Sequence, residues 1–270
     1  MGVGVAAEVW IRLGCFLGVL LLMLLWEWRR PKRHNKIKRS QRWRSNLSLV
    51  VVNTLALRIL IPAGAVGAAL WSADNNFGLL RQTDWPVWVI GIIGLILLDI
   101  AIYWQHRLFH MIPLLWRIHR VHHADPEFDT TTGLRFHPLE ILLSMLIKIG
   151  VVLAFGIPLW AVITFEVVLN ATSLFTHGNV ALPRPWEAPV RALIVTQEMH
   201  RIHHSQRKEE TNSNYGFNLS VWDRVFRSYT RESKDGSDGI RIGLKQYQDV
   251  TETTGLKGML TIPFRDPKTD

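Results

Sequence analysis

Residues 85–123 read WPVWVIGIIGLILLDIAIYWQHRLFHMIPLLWRIHRVHH. From Trp85 to Gln105 the only charge is Asp99. That is an apolar run of about twenty residues, enough to cross the hydrocarbon core of a bilayer as a helix. It passes directly into five histidines: His106, His110, His119, His122 and His123. A membrane span whose end carries a dense set of imidazoles predicts an embedded protein with a metal-binding head.

Working outward, three more apolar blocks flank this one. Val9–Trp26 is a first span, with Arg12 near its outer end, and Asn46–Trp71 is a second, interrupted by Arg58. Leu139–Thr176 is too long for one crossing and holds Gly156-Ile157-Pro158 near its middle, so it reads as two spans joined by a tight turn. Trp26, Trp28, Trp71 and Trp85 stand at block edges, where indoles favour the membrane interface. The first block is a retained anchor and not a secretion signal, because its positive charge follows the apolar stretch and no small-residue cleavage site comes next.

The formal net charge of +9 is concentrated: residues 29–44, RRPKRHNKIKRSQRWR, carry nine Lys or Arg and no acid. Such a run beside a span reads as a juxtamembrane segment held against anionic lipid; nucleic-acid binding would spread basic residues over a folded surface with stacking aromatics. Loop 72–86 holds only Arg81, so the 29–44 side is cytoplasmic. Threading the spans from there places every clustered histidine on the cytoplasmic side. The expected fold is all-α: a multi-span transmembrane helical bundle with a cytoplasmic helical cap holding a dinuclear metal site. The divisions expected are an anchor over 1–28, a basic cytoplasmic loop over 29–45, the membrane domain with its cap over 46–230, and a polar, partly mobile tail over 231–270. Cys15 is the one cysteine, which excludes a disulfide framework, a thiolate site and iron–sulfur ligation.

Eight of the eleven histidines fall in three clusters: His106/His110, His119/His122/His123 and His200/His203/His204. On a helix, residues three and four apart share a face, so each cluster presents its rings together. One tetrahedral ion takes four ligands, so eight imidazoles imply two ions. His177 closes the fifth span above a polar stripe of Ser173, Asn170 and Glu166, and is expected as a ninth ligand. Asp99 shares a helical face with His106 and His110 and is a candidate to hold a ligand's other ring nitrogen; an ion pair with Arg58 is the alternative. His137, before Pro138, is a weaker candidate at the mouth of the fourth span, and His34 is a solvated loop residue. Imidazole alone suits Zn, Cu, Fe or Ni. No Asp/Glu-x-x-His of the soluble carboxylate-bridged kind occurs in the clusters. Two ions suit activation of O2, which favours iron. The competing readings are a zinc-dependent membrane hydrolase and a non-catalytic metal-binding membrane protein; a transporter would place its ligands at mid-membrane on broken helices.

These residues resemble the fatty acid hydroxylase/sterol desaturase superfamily of membrane di-iron oxygenases, being most similar to the bacterial sterol-desaturase-like and alkylglycerol monooxygenase branch. The resemblance rests on His-x3-His followed by two His-x2-His-His boxes. It extends to Asp99–His106, to Asp125–Glu140, to Phe175–Asn179 and to Asn214–Arg224. It implies two iron ions held by the box histidines and His177. It also implies O2 as co-substrate, hydroxylation or desaturation of a fatty acyl, sterol or ether lipid, and a membrane core under a metal-binding cap. Asn214, Trp222 and Asp223 are expected to brace that cap or shape the site. The sequence shows no haem, flavin or nicotinamide motif, so electrons would come from a separate reductase, ferredoxin or cytochrome, with Arg201, Arg207 and Lys208 as candidate docking residues. The expected location is a bacterial inner membrane, or the endoplasmic reticulum in a eukaryote.

Overall fold

The computed structural model describes residues 2–266, with side chains from Glu8 onward. Its helices are α1 (Gly2–Arg29), α2 (Arg39–Leu60), α3 (Gly64–Asp74), α4 (Val87–Met111), α5 (Pro113–His123), α6 (Pro138–Phe155), α7 (Leu159–Thr176), α8 (Arg184–Leu193) and α9 (Gln197–His203). Shorter helices follow: α10 (Lys208–Thr211), α11 (Val221–Val225), α12 (Gly236–Gly239), α13 (Val250–Thr254) and α14 (Leu256–Thr261). Among the described residues there are only two isolated β-bridges and no strand, so the fold is all-α.

Five segments are long and apolar enough to cross a bilayer: Glu8–Arg29, Arg39–Gln82, Val87–Met111, Pro138–Phe155 and Leu159–Thr176. Their outer faces expose large apolar side chains such as Leu22, Leu55, Ile59, Trp88 and Leu146. Water would penalise such a belt, and lipid accepts it. The protein is an integral membrane protein. Inside the belt, small residues of α3 (Ala65, Ala68, Ala69) pack with Leu98 and Ile102 of α4, Val152 of α6 and Phe165 of α7. Gly91 lets α4 meet the first turn of α7, because a Cβ there would sit 1.9 Å from the Trp160 ring.

The expected spans are refined in four places. The second is two helices, because Pro62 cannot continue α2. The third overshoots the bilayer: 25 residues of α4 reach about 37 Å against a hydrocarbon core of about 30 Å, so its last turns lift His106 and His110 into the cap. The hairpin turns at Gly156, which takes a left-handed φ of 70° between α6 and α7. The first helix is more than an anchor. It packs along α7, and its buried Glu27 accepts hydrogen bonds from the backbone N–H groups of Thr130 and Asn179, both at 2.7 Å.

Two other segments make contacts that their composition does not announce. The basic segment is not simply a loop held against lipid, since α2 begins inside it and Arg42 is fully buried. Arg42 donates to both carboxylate oxygens of Asp125 (3.1 and 2.7 Å), to Asp129 and to Thr132 (3.0 Å). The tail is also not free: Met259 and Ile262 join Leu49 and Val121 in a second apolar core, and Arg120 donates to the Ile262 carbonyl at 2.6 Å. Residues 250–264 therefore pack against α2 and α5. Arg42→Ala would leave Asp125 and Asp129 buried without a cation. The expected cost is about 3–5 kcal/mol, read as a fall of roughly 10 °C in the apparent unfolding midpoint in mild detergent. An unchanged midpoint would show that this cluster does not hold α2 to the cap.

Candidate metal centre

Helix geometry sorts the histidines. The i and i+4 rings of a helix stand about 40° apart around the axis, while i+3 lies about 100° from i+4. In His119–His123, on α5, the i and i+4 rings turn toward one point and His122 toward another. His200 and His204 turn together at the end of α9, and His203 turns away. The result is two groups: His106, His110, His119, His123 and His203 in one, and His122, His177, His200 and His204 in the other. Each cluster of three thus contributes to both groups, with the roles exchanged. The α4 pair enters only the first group. His177, capping the C-terminus of α7, takes the matching place in the second.

Within each group, one ring nitrogen per residue lies within 4.8 Å of all the others. Two ligands on one ion at about 2.1 Å are about 3.0 Å apart when adjacent and about 4.2 Å when opposed. The Nε2–Nε2 separations are 3.2 Å for His119–His123, 3.0 Å for His122–His177 and 2.9 Å for His177–His200. Eight of the nine rings are buried and His110 is half-buried.

The outer ring nitrogens set which nitrogen is bare. Nδ1 of His106 faces the Tyr215 carbonyl at 2.8 Å, Nδ1 of His203 the Ser213 carbonyl at 2.7 Å, and Nδ1 of His177 the Ser173 carbonyl at 2.7 Å. Nδ1 of His119 meets Glu140 Oε1 at 2.7 Å. A carbonyl or ionised carboxylate only accepts, so each Nδ1 carries the proton and each Nε2 presents a lone pair inward. Nε2 of His106, His110 and His203, and both ring nitrogens of His204, are buried without a hydrogen-bond partner among the described residues. One such orphan costs about 1–3 kcal/mol, so a convergent set fits a pair of bound cations. The donor set is nitrogen alone, the kind that suits Zn, Cu, Fe or Ni.

The surrounding residues hold this geometry. Gly133 passes so close to α7 that a Cβ would lie 2.5 Å from the Ser173 carbonyl and 3.0 Å from His177 Nδ1. Asn214, at a positive φ of 52°, donates to the carbonyls of Met199 (3.0 Å) and Thr230 (2.9 Å). Asp223 accepts from the N–H groups of Tyr215 and Gly216, both at 2.8 Å. These two residues therefore fasten the loop whose carbonyls hold His203 and His106.

Other candidates fall elsewhere. Asp99 touches neither a ring nitrogen nor Arg58; it accepts from Trp222 Nε1 at 2.7 Å and ties α4 to the cap. His137 lies outside both groups. Its Nδ1 accepts from the Leu139 N–H at 3.2 Å, capping α6, and its Nε2 faces the Leu260 carbonyl at 3.3 Å. Glu166 is paired with Lys148 and Arg12, and Asn170 donates to the Glu166 carbonyl, both below the histidines. Arg201 is fully buried beside Glu198, whereas Arg207, paired with Asp235, and Lys208 are exposed. Glu140 was not singled out by sequence reasoning. Its signal was a lone acid in the first turn of an apolar helix; the Ser213 and Tyr215 contacts run through backbone carbonyls and had none.

The fatty acid hydroxylase family model matches residues 91–228, a range that holds all nine clustered histidines. An ornithine lipid hydroxylase of Rhizobium tropici is 30% identical over 159 residues, covering 59% of this chain and 47% of that protein. The human alkylglycerol monooxygenase is 23% identical over 182 residues (67% and 39%). A Delta(7)-sterol 5(6)-desaturase of Aspergillus fumigatus is 28% identical over 138 residues (51% and 38%). The chain thus spans less than half the length of these relatives. No solved structure matches it.

Burial and the neighbouring imidazoles hold the rings neutral. Burial takes His177 down to about 4 and His203 to about 3, although the Ser173 and Ser213 carbonyls pull the other way. His122, His123, His200 and His204 lie well below the ordinary value through burial first and adjacent histidines second. In the unfolded chain each titrates near 6.5, so below that pH the unfolded state binds more protons and the fold loses stability as pH falls. Metal-stripped protein should lose up to about 1.4 kcal/mol per pH unit per histidine as pH drops from about 6.5 toward 4. Denaturant unfolding at a series of pH values measures this; a flat profile would show that the rings are not held neutral.

Proposed function

The chain belongs to the fatty acid hydroxylase family, and from that premise we propose that it oxidises a C–H bond of a membrane lipid with O2, using two iron ions. The observation that carries this reading is the division of nine histidines into two adjoining nitrogen-only groups. His106, His110, His119, His123 and His203 would hold one ion, and His122, His177, His200 and His204 the other. When bound, such a pair supplies the redox chemistry with O2 that breaks an unactivated C–H bond.

The protein's own share is positional. Glu140 and the Ser173, Ser213 and Tyr215 carbonyls lock ring tautomer and rotation, with Asn214 and Asp223 fastening the loop behind them. A cavity lined by Phe109, Phe136 and Phe217 opens directly beneath His106 and His119, where an apolar chain excludes water. The reaction is hydroxylation or desaturation of a fatty acyl, sterol or ether lipid, in keeping with relatives named for ornithine lipid, alkylglycerol and sterol. Electrons come from a separate reductase, ferredoxin or cytochrome. The nine Lys and Arg of the 29–44 segment support a cytoplasmic position for the histidine end.

Metal analysis of protein purified in mild detergent tests the assignment. Wild type should hold about two irons per chain, and His122→Ala and His203→Ala, each striking a different group, should lower this to about one. Zinc retained after growth in iron-rich medium would favour hydrolysis or storage, and no metal at all would remove the reading. Glu140→Gln, which leaves every ring in place, should weaken metal binding by about 10–100-fold in a chelator competition.

A further inference from the structure

The cavity beneath the histidines has a volume of about 330 Å³ and two unlike ends. Its upper wall carries Phe109, Leu134, Phe136 and Phe217 around His106 and His119, with Gln105 and the His119 partner Glu140 as its polar residues. Its lower end is charged, lined by Arg12, Lys148 and Glu166 beside Ser144 and Asn170. Lys148 Nζ lies 2.7 Å from Glu166 Oε1, and Arg12 Nη2 lies 2.9 Å from Glu166 Oε2; Arg12 Nη1 reaches Glu8 at 3.3 Å. The side chains of Glu166 and Lys148 are 4% and 11% exposed. All three helices concerned are spans, where ionisable residues are costly and mark substrate pathways. A buried ion pair contributes little net stability compared with apolar packing, so helix attachment alone is a poor reason for it.

Hydrogen-bonding capacity identifies what the lower end would take. Each oxygen of Glu166 already meets a cation. Lys148 has three N–H donors and meets one acceptor among the described residues; Arg12 has five and meets two carboxylates. The remaining capacity is therefore donors, and a complementary ligand is an oxygen acceptor. Lys148 lies eight residues along α6 from Glu140, the partner of His119, a distance of about 12 Å.

We propose that Arg12, Lys148 and Glu166 form a recognition site for an oxygen-bearing polar group, best a carboxylate, on a single-chain lipid. The chain then runs upward, so that carbon about 12 Å from that group lies under His106 and His119. This rests on the lipid-oxidising reading above and adds the substrate's class and direction: polar end deep in the membrane, apolar end toward the histidines.

Photolabelling tests it without iron or turnover. Metal-free protein in phosphatidylcholine nanodiscs is illuminated with dodecanoic acid carrying a diazirine at its methyl end, and the labelled residues are mapped by mass spectrometry. Label is expected on Phe109 or on Leu134–Phe136, falling about tenfold or more in Lys148→Met, the size of a lost charged hydrogen bond, and retained in Lys148→Arg. Arg12→Gln carries the same expectation should Lys148→Met fail to fold. Label on Phe16, Leu57 or Met145 would mean the chain lies the other way and would overturn the proposal. So would upper-end label indifferent to both substitutions, or no label in the cavity. Iron content and lipid oxidation are separate readouts, so a failure here leaves the oxidation reading to its own test, and the reverse.

Discussion

Nine imidazole lone pairs brought together at the end of a helical bundle are the constraint around which this protein is organised. Neutral rings at such separations present nitrogen to nitrogen, and protonation would place like charges in a buried volume. The geometry suits cations at the two foci, and it needs the rings' other nitrogens tied down where partners reach them. The carboxylate of Glu140 and three backbone carbonyls tie down four of the nine rings, those of His119, His106, His177 and His203. The loop that supplies two of those carbonyls is in turn fastened by Asn214 and Asp223.

The cap carries the mechanical load of this geometry through buried charge. Arg42 joins α2 to Asp125 and Asp129, Arg135 donates to the Val121 carbonyl at 2.7 Å, and Glu27 joins α1 to the backbone at Thr130 and Asn179. Apolar contacts alone are weakly directional, and a metal site needs ligands held to fractions of an ångström. Charged hydrogen bonds to backbone groups supply that direction, at a desolvation cost that each satisfied partner offsets.

Beneath the cap the spans enclose a slim cavity beside the apolar core that α3, α4, α6 and α7 share. Residues of α1, α2, α4, α6 and α7 line it. The histidine end is held by hydrogen bonds and the opposite end is ionic, and a membrane-embedded chain has few reasons to keep ions away from its surface unless something polar meets them there.

Much of this was legible in the residues. Apolar block length marked the spans, because the bilayer imposes one length on every helix that crosses it. The turn at Gly156-Ile157-Pro158 was legible from chemistry that cannot continue a helix. The histidine spacings predicted shared faces, since helical periodicity is local. Which rings would share a focus was not legible. The exchange of partners between His119–His123 and His200–His204, and the role of Glu140, depend on how α4, α5, α7 and α9 are rotated against one another, and no single segment encodes that rotation. Asp99, Glu166 and His137 mark the same boundary. Each shared a face or a neighbourhood with ligand histidines, yet packing turned them to Trp222, to Lys148 and Arg12, and to the α6 N-terminus. Composition and periodicity act along the chain and identify the spans and the chemistry they carry. Distances between side chains far apart in sequence arise only when the helices close against each other.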